Sequence, residues 1–307
     1  MGICAVTRDL PGGALKRLAA VHQVRLWPGD GPPSAGELAE LAGPADGLIC
    51  LLTDKVDAAL LAACPKLRAV ANYAVGFDNI DLAATKARGI AVGNTPDVLT
   101  DATADLAFAL LAATARQLAE ADRYVRQGRW TTWQPGLFLG APLKGATLGI
   151  IGPGRIGRAV AQRASGYGME VITFDQADPP GALDALLRSS DFVSLHCPLT
   201  PQTAGLIDAR ALSLMKPDAI LINTARGPLV DLVALAEALQ AGRLGGAGLD
   251  VTDPEPAPLD HPILQAPRVT LAPHIGSATR QARQAMADRA VDNILASLQG
   301  RPMPYPV

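Results

Sequence analysis

The sequence predicts an α/β protein built from two doubly wound parallel-sheet domains, the smaller of them flavodoxin-like. Short apolar runs alternate with helical patterns along nearly the whole chain, as strand–helix–strand units do. The run Leu148-Gly-Ile-Ile-Gly152-Pro-Gly154-Arg-Ile-Gly157 joins an apolar strand to a glycine turn and a helix start. At Thr95-Pro96 the alternation breaks, because the residue before proline resists helix, and this suits a crossover between domains.

In the first domain, strands are expected at residues 3–6, 24–27, 47–52, 68–72 and 90–92, with helices at 13–20, 35–41, 57–63 and 82–86. A long helical pattern follows over 100–126, with Leu106, Leu110 and Ala113 on one face and Leu111 and Leu118 widening it. It is too apolar for a free surface helix, so packing across domains or against a second subunit is expected. Trp130, Trp133 and Phe138 then cluster, either as a covered satellite core or, the preferred reading, as an interface arm. Six strands at 147–151, 170–174, 192–196, 219–223, 247–250 and 269–271 make a complete nucleotide-binding sheet of Rossmann type. The last helix, about 278–299, is long enough to return to the first unit. The expected division is therefore residues 1–97 with 277–307, a discontinuous substrate domain, and 98–276, a dinucleotide domain.

The glycine run has a specific chemistry. Gly152 permits the turn, Gly154 lets a pyrophosphate approach the backbone, and Gly157 lets helix and strand pack closely. The phosphates would sit at the helix start, where open N–H groups and the helix dipole favour an anion. Asp175 ends the next strand, 18 residues past Gly157, where an acid holds an adenosine ribose. A carboxylate accepts ribose hydroxyls and repels a 2′-phosphate. Gln176 follows, with no Arg or Lys before Arg188, so NAD is expected over NADP.

Composition narrows the remaining classes. Of 307 residues 49% are apolar and 18% charged, enough for a large core and too apolar for disorder. A net charge of −2 gives no general pull toward nucleic acid or membrane, and neither is an expected partner. The four cysteines, Cys4, Cys50, Cys64 and Cys197, form no C-x-x-C, so neither a metal site nor a disulfide framework is expected. The first residues carry no basic segment with a long apolar core, and Val6 breaks a myristoylation pattern at Gly2. Asp105 interrupts the best apolar run, at 102–115. A cytoplasmic protein is expected.

Ligands in open α/β sheets bind beyond the carboxyl ends of the strands, and Arg226, Glu255 and His274 fall just past three later strands. Singly, each suits a solvated loop. Together they suit reduction of a 2-oxo acid, which needs its carboxylate held, its carbonyl polarised and its oxygen protonated. Arg226 offers a planar fork of donors for oxygens, and His274 is a proton donor near neutral pH. Glu255 can bond the other ring nitrogen, fixing the tautomer and favouring the protonated ring. Among the other histidines, His196 precedes Cys-Pro at a strand end and suits the adenine side, while His22 and His261 lie elsewhere. Asp250 ends its strand and suits either the nicotinamide edge or a capping role.

The segments Asn72-Tyr-Ala-Val-Gly-Phe-Asp-Asn-Ile-Asp81, Asn94-Thr-Pro-Asp-Val-Leu-Thr-Asp-Ala-Thr-Ala-Asp105, 149–157, Asn223-Thr-Ala-Arg-Gly227, Leu249-Asp-Val and Pro273-His-Ile-Gly-Ser277 resemble the D-isomer-specific 2-hydroxyacid dehydrogenases, from about residue 45 onward. Within that family the first two segments and the Trp130/Trp133 arm are most similar to glyoxylate/hydroxypyruvate reductases. The resemblance implies that Arg226 binds substrate, that Glu255 pairs with His274, and that His274 is the acid/base. It implies that the Val75-Gly76 backbone grips the substrate carboxylate and that Leu52 borders the pocket. Thr103, Arg155, Ile156, Asp175, Thr224, Asp250 and Gly276 would touch the dinucleotide, with His196, Pro198 and Ala225 beside them, and the chain would form a homodimer. The implied reaction is NADH-dependent reduction of glyoxylate or hydroxypyruvate to glycolate or D-glycerate.

This chain departs from the pattern twice. Many glyoxylate reductases carry Arg or Ser–Arg where Asp175 stands and take NADPH. The stretch 176–191 is also short, and relatives usually place another strand there. A bulkier 2-oxo acid is the alternative substrate. Phosphite dehydrogenases resemble this chain but carry Lys at the position of Val75, and formate dehydrogenases lack the Glu of position 255. A non-catalytic NAD-sensing protein would show no turnover with 2-oxo acids.

Overall fold

The computed structural model describes residues 1–307. The chain runs β1 (Ile3–Val6), α1 (Ala14–Ala19), β2 (Gln23–Leu26), α2 (Ala35–Ala42), β3 (Gly47–Cys50), α3 (Ala58–Ala63), β4 (Ala69–Asn72), α4 (Leu82–Ala87) and β5 (Ala91–Gly93). Then come α5 (Thr100–Ala115), α6 (Leu118–Arg126), β6 (Thr147–Ile151), α7 (Arg155–Gly166), β7 (Glu170–Phe174), α8 (Ala182–Ser189) and β8 (Phe192–Leu195). It closes with α9 (Ala209–Leu214), β9 (Ile220–Asn223), α10 (Leu232–Gln240), β10 (Gly246–Leu249), β11 (Val269–Leu271) and α11 (Arg280–Leu298). Two compact units result, Met1–Leu99 with Ser277–Val307, and Thr100–Gly276. The division falls two residues beyond the expected 97/98, at the first residue of α5.

The first unit is a parallel sheet of order β2-β1-β3-β4-β5, the flavodoxin-like order. Its inner strands β3 and β4 are buried at every residue, as a sheet covered on both faces requires. Side chains set the helix starts: Ser34 and Glu37 form a capping box on α2, and Asp57 and Asp81 cap α3 and α4. The C-terminal segment belongs to this unit. Helix α11 lies against α1, β3 and β4 with Met286, Val291 and Ile294 buried. Fully buried Asn293 donates to Asn94 O at 3.0 Å and accepts from Tyr305 N at 2.9 Å, fastening the tail beside β5.

The second unit is a parallel sheet of order β11-β10-β9-β8-β6-β7. Strand order reverses between β6 and β8, and a switch point of this kind is where such sheets take ligands. Leu195, Leu221, Leu235 and Leu249 pack on one face, and Phe108, Leu111, Leu148 and Ile150 on the other. The sheet ends at β7. Where relatives are expected to carry another strand, a turn at 175–178 leads directly toward α8, so Asp175 stands at an open edge.

Two expectations need correction. The pattern over 100–126 is two helices, broken at Arg116-Gln117, where Gln117 takes φ 50°. The crossing chain supplies the reason: Ala141 N donates to Ala115 O at 2.9 Å, and Gln117 Nε2 donates to Leu139 O at 2.9 Å. A side chain at Gly140 would overlap the Ala115 carbonyl. The apolarity of α5 is also spent inside its own unit, since Phe108, Leu110 and Leu111 are buried where α5 lies on α7, β9 and β10. What stays uncovered lies further on: Leu118, Val125, Trp130, Trp133 and Leu139 are all exposed, so the tryptophans are no covered satellite core. Phe138 is half-buried and meets the Tyr124 ring edge-on at 5.4 Å.

No helix is long and apolar enough to cross a membrane. All four cysteines are free, and burial pushes the Cys4 thiol up to about 12 and the Cys197 thiol up to about 11. Cys4 and Cys197 therefore stay protonated at neutral pH, packing as small apolar groups with little thiolate to react.

Candidate active site

Strand β6 ends where the glycine turn begins. Gly152 has φ 89°, and a side chain there would sit 2.5 Å from the Cys197 nitrogen, so only glycine fits between β6 and the end of β8. Its amide donates to Phe174 O at 2.9 Å, which places the turn one residue from Asp175. Space above Gly154 is open to 4 Å, and a side chain at Gly157 would meet the Gly152 carbonyl and Ile150. Gly154 caps α7 without a side-chain acceptor, so the Ile156 and Gly157 amides point from the helix start with no acceptor in the chain. Gly152, Gly154, Arg155, Ile156 and Gly157 thus form a turn whose open amides fit an anion. Exposed Asp175 accepts from Ala177 N at 3.2 Å, and its amide donates to Asp178 Oδ2 at 2.8 Å.

Past β8, His196 Nε2 lies 2.8 Å from Ser194 Oγ, and desolvation lowers its pKa from 6.5 to about 4, so the ring is neutral. Pro198 follows in the same loop and is exposed. Past β9, buried Thr224 keeps its hydroxyl without a partner, beside half-buried Ala225. An orphaned buried hydroxyl at the carboxyl end of a strand fits a ligand's polar edge. Past β11, Gly276 closes on Asp250 and Thr103: a side chain there would lie 3.2 Å from Asp250 Oδ2 and 3.3 Å from Thr103 Cγ2. These residues fit a dinucleotide.

The three chemistry-bearing side chains follow three neighbouring strands. Asn223 pairs with Leu249, and Leu249 with Leu271, so β9, β10 and β11 finish level. Buried Asn223 shapes the first loop, accepting from Ala225 N at 3.0 Å and donating to Arg226 O at 2.8 Å. Gly227 lets that loop touch the next, because a side chain there would overlap the Thr252 carbonyl. Half-buried Arg226 immediately precedes that contact and donates from Nη1 to Ala225 O at 2.8 Å.

His274 Nδ1 lies 2.5 Å from Glu255 Oε1, with the two side chains 24% and 34% exposed. An ionised carboxylate can only accept, so Nδ1 carries the proton and Nε2 is the nitrogen left for chemistry. The backbone of His274 is left-handed, φ 54°, a conformation that costs a non-glycine residue about 1–2 kcal/mol. Asp250 offsets this. Its carbonyl accepts from His274 N at 2.8 Å, and its carboxylate accepts from Ile275 N and Gly276 N, each at 2.7 Å. Burial raises the pKa of Asp250, against the lowering effect of those two amides.

Leu52, Val75 and Gly76 lie in the first unit, past β3 and β4. Every carbonyl from 74 to 76 is drawn away by a donor: Ala74 O takes Thr95 N at 2.9 Å, Val75 O takes Asn94 Nδ2 at 2.8 Å, and Gly76 O takes Asn72 Nδ2 at 2.7 Å. The amides of Val75 and Gly76 meet no acceptor in the chain. Sequence reasoning quoted Asn72, Asn94 and Asn223 within motifs but assigned them no role. The signal was a polar residue ending, or closely following, an apolar strand.

A glycine turn with open amides, an acid at the end of β7 and a carboxylate-backed imidazole suit a nicotinamide-dependent dehydrogenase. Residues 108–276 match the model of the D-isomer specific 2-hydroxyacid dehydrogenase NAD-binding domain, and the chain belongs to that family. It is 48% identical to a glyoxylate reductase of Thermococcus litoralis, over 96% of this chain and 93% of the relative. Among solved structures it resembles the TT0316 protein from Thermus thermophilus, with TM-score 0.94, 48% identity and 99% of each chain covered. It also resembles an NADPH-dependent glyoxylate/hydroxypyruvate reductase from Sinorhizobium meliloti in complex with NADP and malonate, with TM-score 0.87, 35% identity, and 99% and 96% covered.

The neutral His196 makes stability depend on pH. Its folded pKa, about 4, lies below the reference 6.5, so its contribution is full above pH 6.5 and is lost as pH falls toward 4. His22, also lowered by burial, acts in the same direction. Urea unfolding is expected to lose up to about 1.4 kcal/mol per pH unit from His196 in that window, and His196→Gln should flatten the loss.

Proposed function

We propose that this chain reduces a small 2-oxo acid, glyoxylate or hydroxypyruvate, with NADH, giving glycolate or D-glycerate. The observation that carries the reading is the 2.5 Å Glu255–His274 pair in the strand-end loops next to that of Arg226. The names of the archaeal and Sinorhizobium relatives support the substrate class. Reduced nicotinamide, when bound, supplies the hydride. His274 donates the Nε2 proton to the carbonyl oxygen as its carbon is reduced. Glu255 holds the ring in that tautomer and balances its charge before transfer. In the second unit Arg226 offers its fork to substrate oxygens; in the first, the Val75 and Gly76 amides offer donors to a carboxylate and Leu52 an apolar side chain. Gly152, Gly154, Arg155, Ile156 and Gly157 hold the pyrophosphate, and Asp175 holds the ribose. His196 and Pro198 line the adenine side, and Thr103, Thr224, Ala225, Asp250 and Gly276 the nicotinamide side.

Initial rates with both cofactors on a panel of 2-oxo acids test this reading. Glyoxylate or hydroxypyruvate with NADH should give the highest kcat/KM, and turnover confined to bulkier acids would reassign the substrate. His274→Gln should lower kcat roughly 10²–10⁴-fold, and unchanged turnover removes it as proton donor.

The cofactor assignment rests on Asp175, whose charge opposes a 2′-phosphate. Asp175→Ala should narrow the NADH preference by roughly tenfold or more, as befits loss of hydrogen bonds to a charged group. A wild type that already prefers NADPH contradicts this role.

We also propose a homodimer, formed where Leu118, Val125, Trp130, Trp133 and Leu139 are exposed on the second unit. Sedimentation should give a dimer for the wild type and a monomer for Leu118→Glu with Trp133→Glu; a monomeric wild type ends this proposal.

A further inference from the structure

We propose that Asn79 is a positioning residue for substrate binding, yoking the turn that carries Leu52 to the loop that presents the Val75 and Gly76 amides. The proposal rests on the functional reading above. Asn79 Nδ2 donates to Leu51 O at 3.0 Å and to Asp54 O at 2.9 Å, closing the Leu51–Asp54 turn from beneath. Its Oδ1 accepts from Asn72 Nδ2 at 2.9 Å, and the same Asn72 amide group donates to Gly76 O at 2.7 Å. Both amide orientations are fixed by their partners, because backbone carbonyls can only accept. One chain of bonds therefore runs from the Leu51 carbonyl through two side-chain amides to the Gly76 carbonyl.

The yoke is anchored on both sides. Fully buried Asn72 ends β4, so its position is set by the sheet. Within the turn, buried Asp54 accepts from Leu51 N at 2.8 Å and from Thr7 Oγ1 at 2.5 Å, tying the turn to the end of β1. Backbone bonds Val56 N to Asn79 O at 2.9 Å and Ile80 N to Phe77 O at 3.0 Å keep Asn79 itself in place. The Asn72 bond holds the Gly76–Phe77 peptide, which fixes the end of the loop that carries the Val75 and Gly76 amides, while Thr95 N and Asn94 Nδ2 hold the two carbonyls before it. A carboxylate gripped by those amides depends on their spacing from Leu52, and Asn79 joins the turn to Asn72, the side chain that holds the loop.

Asn79→Asp keeps the volume but sets a carboxylate against two carbonyl acceptors. Asn79→Ala removes the yoke and serves if the charged variant fails to fold. In an active background, either variant should raise KM for glyoxylate or hydroxypyruvate by about tenfold or more. KM for NADH should stay within about twofold, and kcat at saturation should fall by less than about threefold, since neither the proton donor nor the pyrophosphate turn is touched. Amide hydrogen exchange should quicken in both 51–54 and 72–77. Unchanged oxo-acid KM in an active background overturns the proposal alone, as does a joint rise of both KM values with a fall in kcat, which marks general distortion. A wild type that reduces no 2-oxo acid overturns the functional reading, and the substrate role of Asn79 with it.

Discussion

Level parallel pairing of β9, β10 and β11 is the constraint on which the chemistry of the second unit depends. Because Asn223, Leu249 and Leu271 share a register, the three loops leave the sheet at one height. A loop of only a few residues then suffices to bring each functional side chain to the same edge. Glycine carries the arrangement the rest of the way. Gly227 allows backbone-to-backbone contact between neighbouring loops, and Gly276 permits a close approach to Asp250 and Thr103. Asp250 supplies the polar counterpart, meeting three consecutive amides of the histidine loop and holding His274 in a left-handed backbone it would not otherwise keep.

Both units leave backbone amides open, by different means. In α7 the helix geometry leaves the first N–H groups unpaired, and Gly154 adds no side chain to fill the space. In the loop 74–76 no helix is present, and asparagine side chains do the equivalent work by occupying the carbonyls. An unpaired amide is costly only when sealed from water, and Gly76 is only half-buried.

Much of this was legible in the residues. Alternating apolar runs marked ten of the eleven strands to within one residue at either end, because strands buried on both faces must be continuously apolar. The stretch 47–52 overran because Leu51 and Leu52 are apolar yet belong to a turn, which Asp54 and Asn79 fold out of the sheet. Glycines at 152 and 157 were readable since each answers a steric demand that no other residue meets, while Gly154 leaves open space at the helix start. The break at Gln117 was not readable: its cause is a chain segment more than twenty residues later, bonding the end of α5. The destination of α5's apolar face was equally hidden, since an apolar stripe says that something covers it and not what.

Residue types and their strand-end positions alone determined the α/β class and singled out the glycine turn, the acid at the end of β7 and the trio Arg226, Glu255 and His274. Each follows from local rules of spacing, conformation and charge. Tertiary structure decided the rest: that Glu255 meets His274 through Nδ1, that Asp250 spends its carboxylate on the histidine loop, and that asparagines 72, 79 and 94 govern which amides stay open. Those outcomes depend on hydrogen bonds between segments far apart in sequence, whose register is set by sheet pairing and is invisible to any local pattern.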